Sequence, residues 1–105
     1  MTDQIRKVLQ RSIMMFVEVM ELSDELYEQL VECGALTYDQ VYFIRENSFE
    51  KHSGVRELIA KIIKGGASSY MGFLQALHAT DQNDVVDLLT NGDRRFYHAL
   101  TPEQN

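Results

Sequence analysis

The sequence predicts an all-α fold, a single bundle of six amphipathic helices. Apolar residues recur at i, i+3, i+4 and i+7 in successive stretches, the spacing that lines one face of a 3.6-residue helix. No stretch alternates apolar and polar residues as a half-buried strand would. The breaks between periodic stretches are only a few residues long, which favours antiparallel neighbours in a compact bundle. With 105 residues, 45% of them apolar, the chain holds one core and no roomy internal active site.

Ile5, Val8, Leu9, Ile13, Phe16 and Met20 place a long first helix over residues 3–20, with Asp3 at its positive end. Its middle, Ile13 to Val17, is apolar all round, so that turn is either buried on two sides or bent, or part of it is a contact surface. Ser23, Asp24 and Glu25 then supply an N-cap and an acidic first turn for a second helix carrying Leu26, Leu30 and Val31 and ending at Gly34. Thr37 and Gln40 have capping-box spacing and open a third helix through Val41 and Ile44 to about residue 47.

Residues 49–53 read as a break with Gly54 beyond it. Val55, Leu58, Ile59, Ile62 and Ile63 then form a fourth helix, closed at Gly65-Gly66, where positive φ is available. Tyr70, Phe73, Leu74 and Leu77 share one face of a fifth helix over residues 68–79, and we expect that face to be core. After a polar turn at residues 80–83, Val85, Val86, Leu88 and Leu89 make a short sixth helix stopped at Asn91-Gly92. The domain is expected to span residues 1–91. Residues 92–105 read as a tail or linker, with Phe96, Tyr97 and Leu100 suited to one further turn.

Composition narrows the function. Sixteen acidic against ten basic residues give a net charge of -6, which disfavours nucleic acid and anionic membranes as partners. One cysteine excludes an internal disulfide framework and fits a reducing compartment. The longest early apolar run stops at Glu18, so neither a signal peptide nor a membrane span is expected, and the localisation expected is cytoplasmic. Catalysis is not expected either. Cys33 has no histidine or third group in a recognisable pattern, and His52, His78 and His98 lack metal-ligand spacing with it or with one another. Gly65-Gly66 follows a helix and not a strand, so it is not a phosphate loop. We expect no enzyme activity, no cofactor and no metal.

Charge is sorted by helix. Arg6, Lys7 and Arg11 sit on the first helix, and Arg56, Lys61 and Lys64 on the fourth. Asp24, Glu25, Glu28 and Glu32 form a ridge on the second, extended by Asp39 and Glu46 on the third. The bland account is a solvated surface. The alternative is a pair of complementary patches that steer a second copy or another partner head to tail.

The run Gly66-Ala67-Ser68-Ser69-Tyr70, with Phe73, Ala76-Leu77, Thr80 and Val85 to Leu89, resembles the last two helices of caspase recruitment domains (CARDs). LVECGALTYD at residues 30–39 resembles the family's second-to-third helix junction, and residues 58–64 its Leu-rich fourth helix with a basic end. RSIMMF at residues 11–16 looks most like the prodomains of initiator caspases, although Ala67 stands where the family commonly has Pro. The resemblance implies a six-helix antiparallel death-fold bundle, often with a bent first helix. It also implies a homotypic interaction module that recruits or clusters caspases or adaptors in apoptotic or inflammatory signalling. The partner would be another CARD-containing protein or a second copy, assembling as dimers or helical oligomers. A free-standing decoy that inhibits such assembly is the alternative. Carried over by position, the partner-binding basic patch would be Arg6, Lys7, Arg11, Arg56 and Lys61, and the acidic patch Asp24, Glu25, Glu28, Asp39 and Glu46.

Overall fold

The computed structural model describes residues 2–90, and the expectations for the tail, including Phe96, Tyr97 and Leu100, lie outside them. Five helices are α1 (Asp3–Arg11), α2 (Ile13–Val19), α3 (Asp24–Glu32), α4 (Tyr38–Asn47) and α5 (Lys51–Ala79). A sixth, α6, occupies residues 83–90, and no strand occurs among the described residues. The core they enclose is apolar throughout, built from Leu9, Phe16, Leu26, Leu30, Ile44, Leu58, Ile62, Phe73, Leu77 and Val85 among others. At roughly 1.5–3 kcal/mol for each large side chain taken out of water, this burial is the main force holding the bundle.

The single long first helix of the sequence reading is two helices. Ser12 (φ -89°, ψ 2°) separates them, yet its N–H still donates to Val8 O at 3.0 Å and its carbonyl accepts from Phe16 at 2.8 Å, so the axis bends without losing its ladder. The bend settles the all-apolar turn. Phe16 goes into the core and Ile13 and Val17 lie against it, while Met14 and Met15 stay exposed.

The fourth and fifth helices of the sequence reading are instead the two arms of α5, bent at Gly66. With φ 79° and ψ -158°, Gly66 occupies a backbone region open essentially to glycine alone. The first arm begins earlier than the sequence pattern places it, at Lys51, so Gly54 lies inside the helix. A side chain there would collide with Leu22 Cδ1, and the missing Cβ is what admits Leu22. On the second arm Phe73 and Leu77 are fully buried, but Tyr70 and Leu74 only flank the core.

α1, α2, α3 and α4 all pack against α5, and α1 touches neither α3 nor α4. Two small features lock the connections. Gly72 lies so close to the α3–α4 turn that a Cβ would sit 2.5 Å from Cys33 O and 2.7 Å from Ala35 N. The Gln82 amide clasps the backbone of Glu21, accepting from its N–H at 2.7 Å and donating to its carbonyl at 2.9 Å, which ties the turn before α6 to the α2–α3 turn.

Both glycines should be intolerant of alanine, for different reasons. Gly72→Ala forces backbone apart and should cost about 1–3 kcal/mol, and Gly66→Ala a similar amount, of order 1–3 kcal/mol, through backbone strain. In thermal unfolding each should lower Tm, at roughly 4–8 °C per kcal/mol for a domain of about this size. An unchanged Tm for Gly72→Ala would mean that the α3–α4 turn does not rest on α5 as described.

Candidate functional site

The exposed faces of α1 and the first arm of α5 carry the cations. Thr2 caps α1, its hydroxyl accepting from Ile5 N–H at 3.2 Å, and Leu9 fixes the inward face. Arg6, Lys7 and Arg11 are therefore left exposed, with Arg6 paired to Asp3 one turn earlier. Arg56 is exposed beside the buried Val55 and Leu58. Because α1 packs on α5, these cations stand on adjacent elements. Lys61 differs from them. Its side chain is only 19% exposed, 3.2 Å from Glu57 and 4.5 Å from the centre of the Phe43 ring, so it is tied into the packing of α5 on α4.

The acids sit on α3 and α4. Ser23 caps α3 through Leu26 N–H at 3.1 Å, and Leu26, Tyr27 and Leu30 turn inward, leaving Asp24, Glu25, Glu28 and Glu32 outside. The expected capping box opens α4: Thr37 Oγ1 accepts from Gln40 N–H at 3.1 Å, and Gln40 Oε1 accepts from Thr37 N–H at 2.9 Å. Asp39 and Glu46 are exposed at opposite ends of α4.

Between α3 and α4 runs an open groove of about 470 Å³. Tyr27, Val31, Tyr38, Val41 and Tyr42 line it, with Glu28, Glu32, Glu46 and Arg45. The structure thus brings Glu28 and Glu46 together and leaves Glu25 and Asp39 outside the groove. Asp24 is also outside it, bound to Arg45 Nη2 at 2.5 Å. The same guanidinium lies 5.3 Å from the centre of the Tyr27 ring. Burial pushes the Tyr27 phenol above the usual tyrosine range, Arg45 opposes that rise, and Asp24 adds to it.

Arg45 and the tyrosines are what the sequence reading passed over. Tyr38 and Tyr42 stand four residues apart, one turn of the same helix, and that spacing was the available signal. The groove offers carboxylates and aromatic faces, a chemistry for holding cations. Elsewhere, Cys33 Sγ has the Gln29 amide oxygen at 3.9 Å, and His78 Nδ1 lies 2.8 Å from Asn83 Oδ1. Among the described residues no group of three or more His, Cys, Asp or Glu side chains converges as a metal site, and no helix is long and apolar enough to cross a membrane.

Comparison with known families gives a match over residues 6–92 to the family described as CARD, caspase recruitment domain. Comparison with curated proteins and with solved structures finds no match.

The raised Tyr27 pKa fixes a pH dependence. The unfolded phenol ionises near its ordinary value while the folded one resists, so the contribution is intact below about pH 10 and is lost as pH rises through the folded pKa. Denaturant titrations above pH 10 should show stability falling. Tyr27→Phe should remove that part of the fall, and equal slopes in both proteins would contradict the assignment.

Proposed function

The chain belongs to the caspase recruitment domain family of homotypic interaction domains in apoptotic and inflammatory signalling, and we propose that it clusters its partners through two complementary charged surfaces. One surface is Arg6, Lys7, Arg11 and Arg56, with Lys61 contributing less because of its internal contacts. The other is Asp24, Glu25, Glu28, Asp39 and Glu46, with Asp24 partly neutralised by Arg45. The observation that carries this reading is the separation of the two sets: α1 touches neither α3 nor α4, and α5 lies between them.

Surfaces of opposite sign on different elements cannot pair within one molecule. Between molecules they make a head-to-tail contact, which extends into a helix or closes into a ring. Each exposed pair is worth only about 0.2–1 kcal/mol, so several per contact and many contacts per assembly are required. The output is proximity, because raising the effective concentration of tethered proteins needs no chemistry from the tether. We assign the domain to residues 1–91 and the linker role to residues 92–105. The setting that fits is the cytoplasm, in an initiator-caspase prodomain or an adaptor. A free-standing copy using the same surfaces would act as a decoy.

Arg56→Glu or Glu28→Lys should each abolish self-association or partner binding in sedimentation or light scattering, with helical circular dichroism unchanged. Association of the unaltered protein should weaken as salt rises to physiological strength, where screening acts over about 8 Å. Full binding by both variants would remove the two-surface model.

A further inference from the structure

We propose that the α3–α4 groove is an arginine-binding site and that its occupant is Arg56 of a second copy of this chain. The proposal rests on the two-surface reading and deepens it by making one contact aromatic as well as ionic.

The groove already contains one working example of the site. Arg45 places its guanidinium against the Tyr27 ring, 5.3 Å from the centre, and on the Asp24 carboxylate at 2.5 Å. On the same helix Phe43 takes the Lys61 ammonium at 4.5 Å. Aromatic rings of α3 and α4 therefore hold cations within this molecule, in both cases beside a carboxylate.

A second set of the same parts stands without a cation. Tyr38 and Tyr42, 77% and 63% exposed, face the groove one helical turn apart. Glu28 and Glu46 line it and make no hydrogen bond or ion pair among the described residues. Glu32 accepts only from the neutral Gln29 amide, at 3.2 Å. The one cation in the groove, Arg45, is matched by Asp24 outside it. The groove thus keeps a net negative charge next to exposed aromatic faces, which attract a cation through the ring quadrupole.

The chain also supplies a candidate occupant. Among the described arginines, Arg6 is paired with Asp3, Arg45 with Asp24, and Arg11 has a contact of its own. Arg56 is exposed and has no partner among the described residues. It does not line the groove of its own molecule, so the pairing has to be between copies. A planar guanidinium stacks on a ring while its fork reaches carboxylates, and a lysine ammonium does this less well. Selectivity for arginine over lysine is the signature that separates this site from a simple charged patch.

The test uses two copies that each lack one half of the contact. Arg56→Ala keeps the groove and has no occupant; the Glu28→Lys, Glu46→Lys double variant keeps Arg56 and has a closed groove. Mixed and followed by titration calorimetry, they should form a one-to-one complex. Adding Tyr42→Leu to the first copy should weaken it by about 3- to 10-fold, a cation–π contribution, while Tyr42→Phe keeps the affinity. Changing Arg56 to Lys in the second copy should cost a similar factor, and no further factor when Tyr42 is already Leu. If the complex forms and neither Tyr42→Leu nor Arg56→Lys alters its affinity, the arginine groove is wrong and the charged surfaces stand. If no complex forms while the unaltered chain self-associates, both readings fall. Circular dichroism on each variant checks folding, and Arg56→Lys, in the other copy, reads the same contact should Tyr42→Leu not fold.

Discussion

One glycine sets the frame on which the other helices rest. A straight α-helix of 29 residues would run about 44 Å, and its apolar stripe would face one way along that whole length. The bend at Gly66 breaks α5 into two arms, so that Val55, Leu58, Ile59 and Ile62 form one wall and Phe73, Ala76 and Leu77 another. Four other helices pack against that angled wall. No L-residue with a side chain holds φ 79° and ψ -158° without strain, so the bend has to be made by glycine.

The function follows from what this packing leaves outside. Among the described residues no polar or charged side chain is buried, so every charge the chain carries is displayed. Because α5 intervenes between α1 and the α3–α4 pair, the sorting of charge by helix becomes a sorting by surface. A molecule built this way has little means of catalysis and ample means of orienting a neighbour. Its specificity then depends on which of the displayed charges are already spent on internal contacts.

That last question marks the limit of what the sequence makes legible. Helix positions, caps and the inward faces follow from apolar period and cap residues, and Ser23, Thr37 and Gln40 cap where their spacing says they should. Local pattern also finds Gly66, but does not show that the helix resumes after it. The sequence reading treats Gly54 and Gly72 as unremarkable, because the need for a missing Cβ comes from Leu22 and from the Cys33–Ala35 turn, both remote in the chain. The family is readable from the spacing around Tyr70 to Leu77, although Tyr70 and Leu74 only flank the core they were expected to form.

The charged patches show the same boundary more sharply. Counting carboxylates along α3 and α4 treats Asp24 and Glu28 as equals, and counting cations treats Arg56 and Lys61 alike. In the fold they are not alike. Asp24 has Arg45, which lies 21 residues away in sequence, and Lys61 has Glu57 and the Phe43 ring. Each such internal contact lowers the charge available to a partner, whereas Glu28, Glu46 and Arg56 keep theirs in full among the described residues. A surface with fewer free charges than its composition suggests needs another source of affinity. The exposed rings of Tyr38 and Tyr42, beside the two free glutamates, are where this fold provides one.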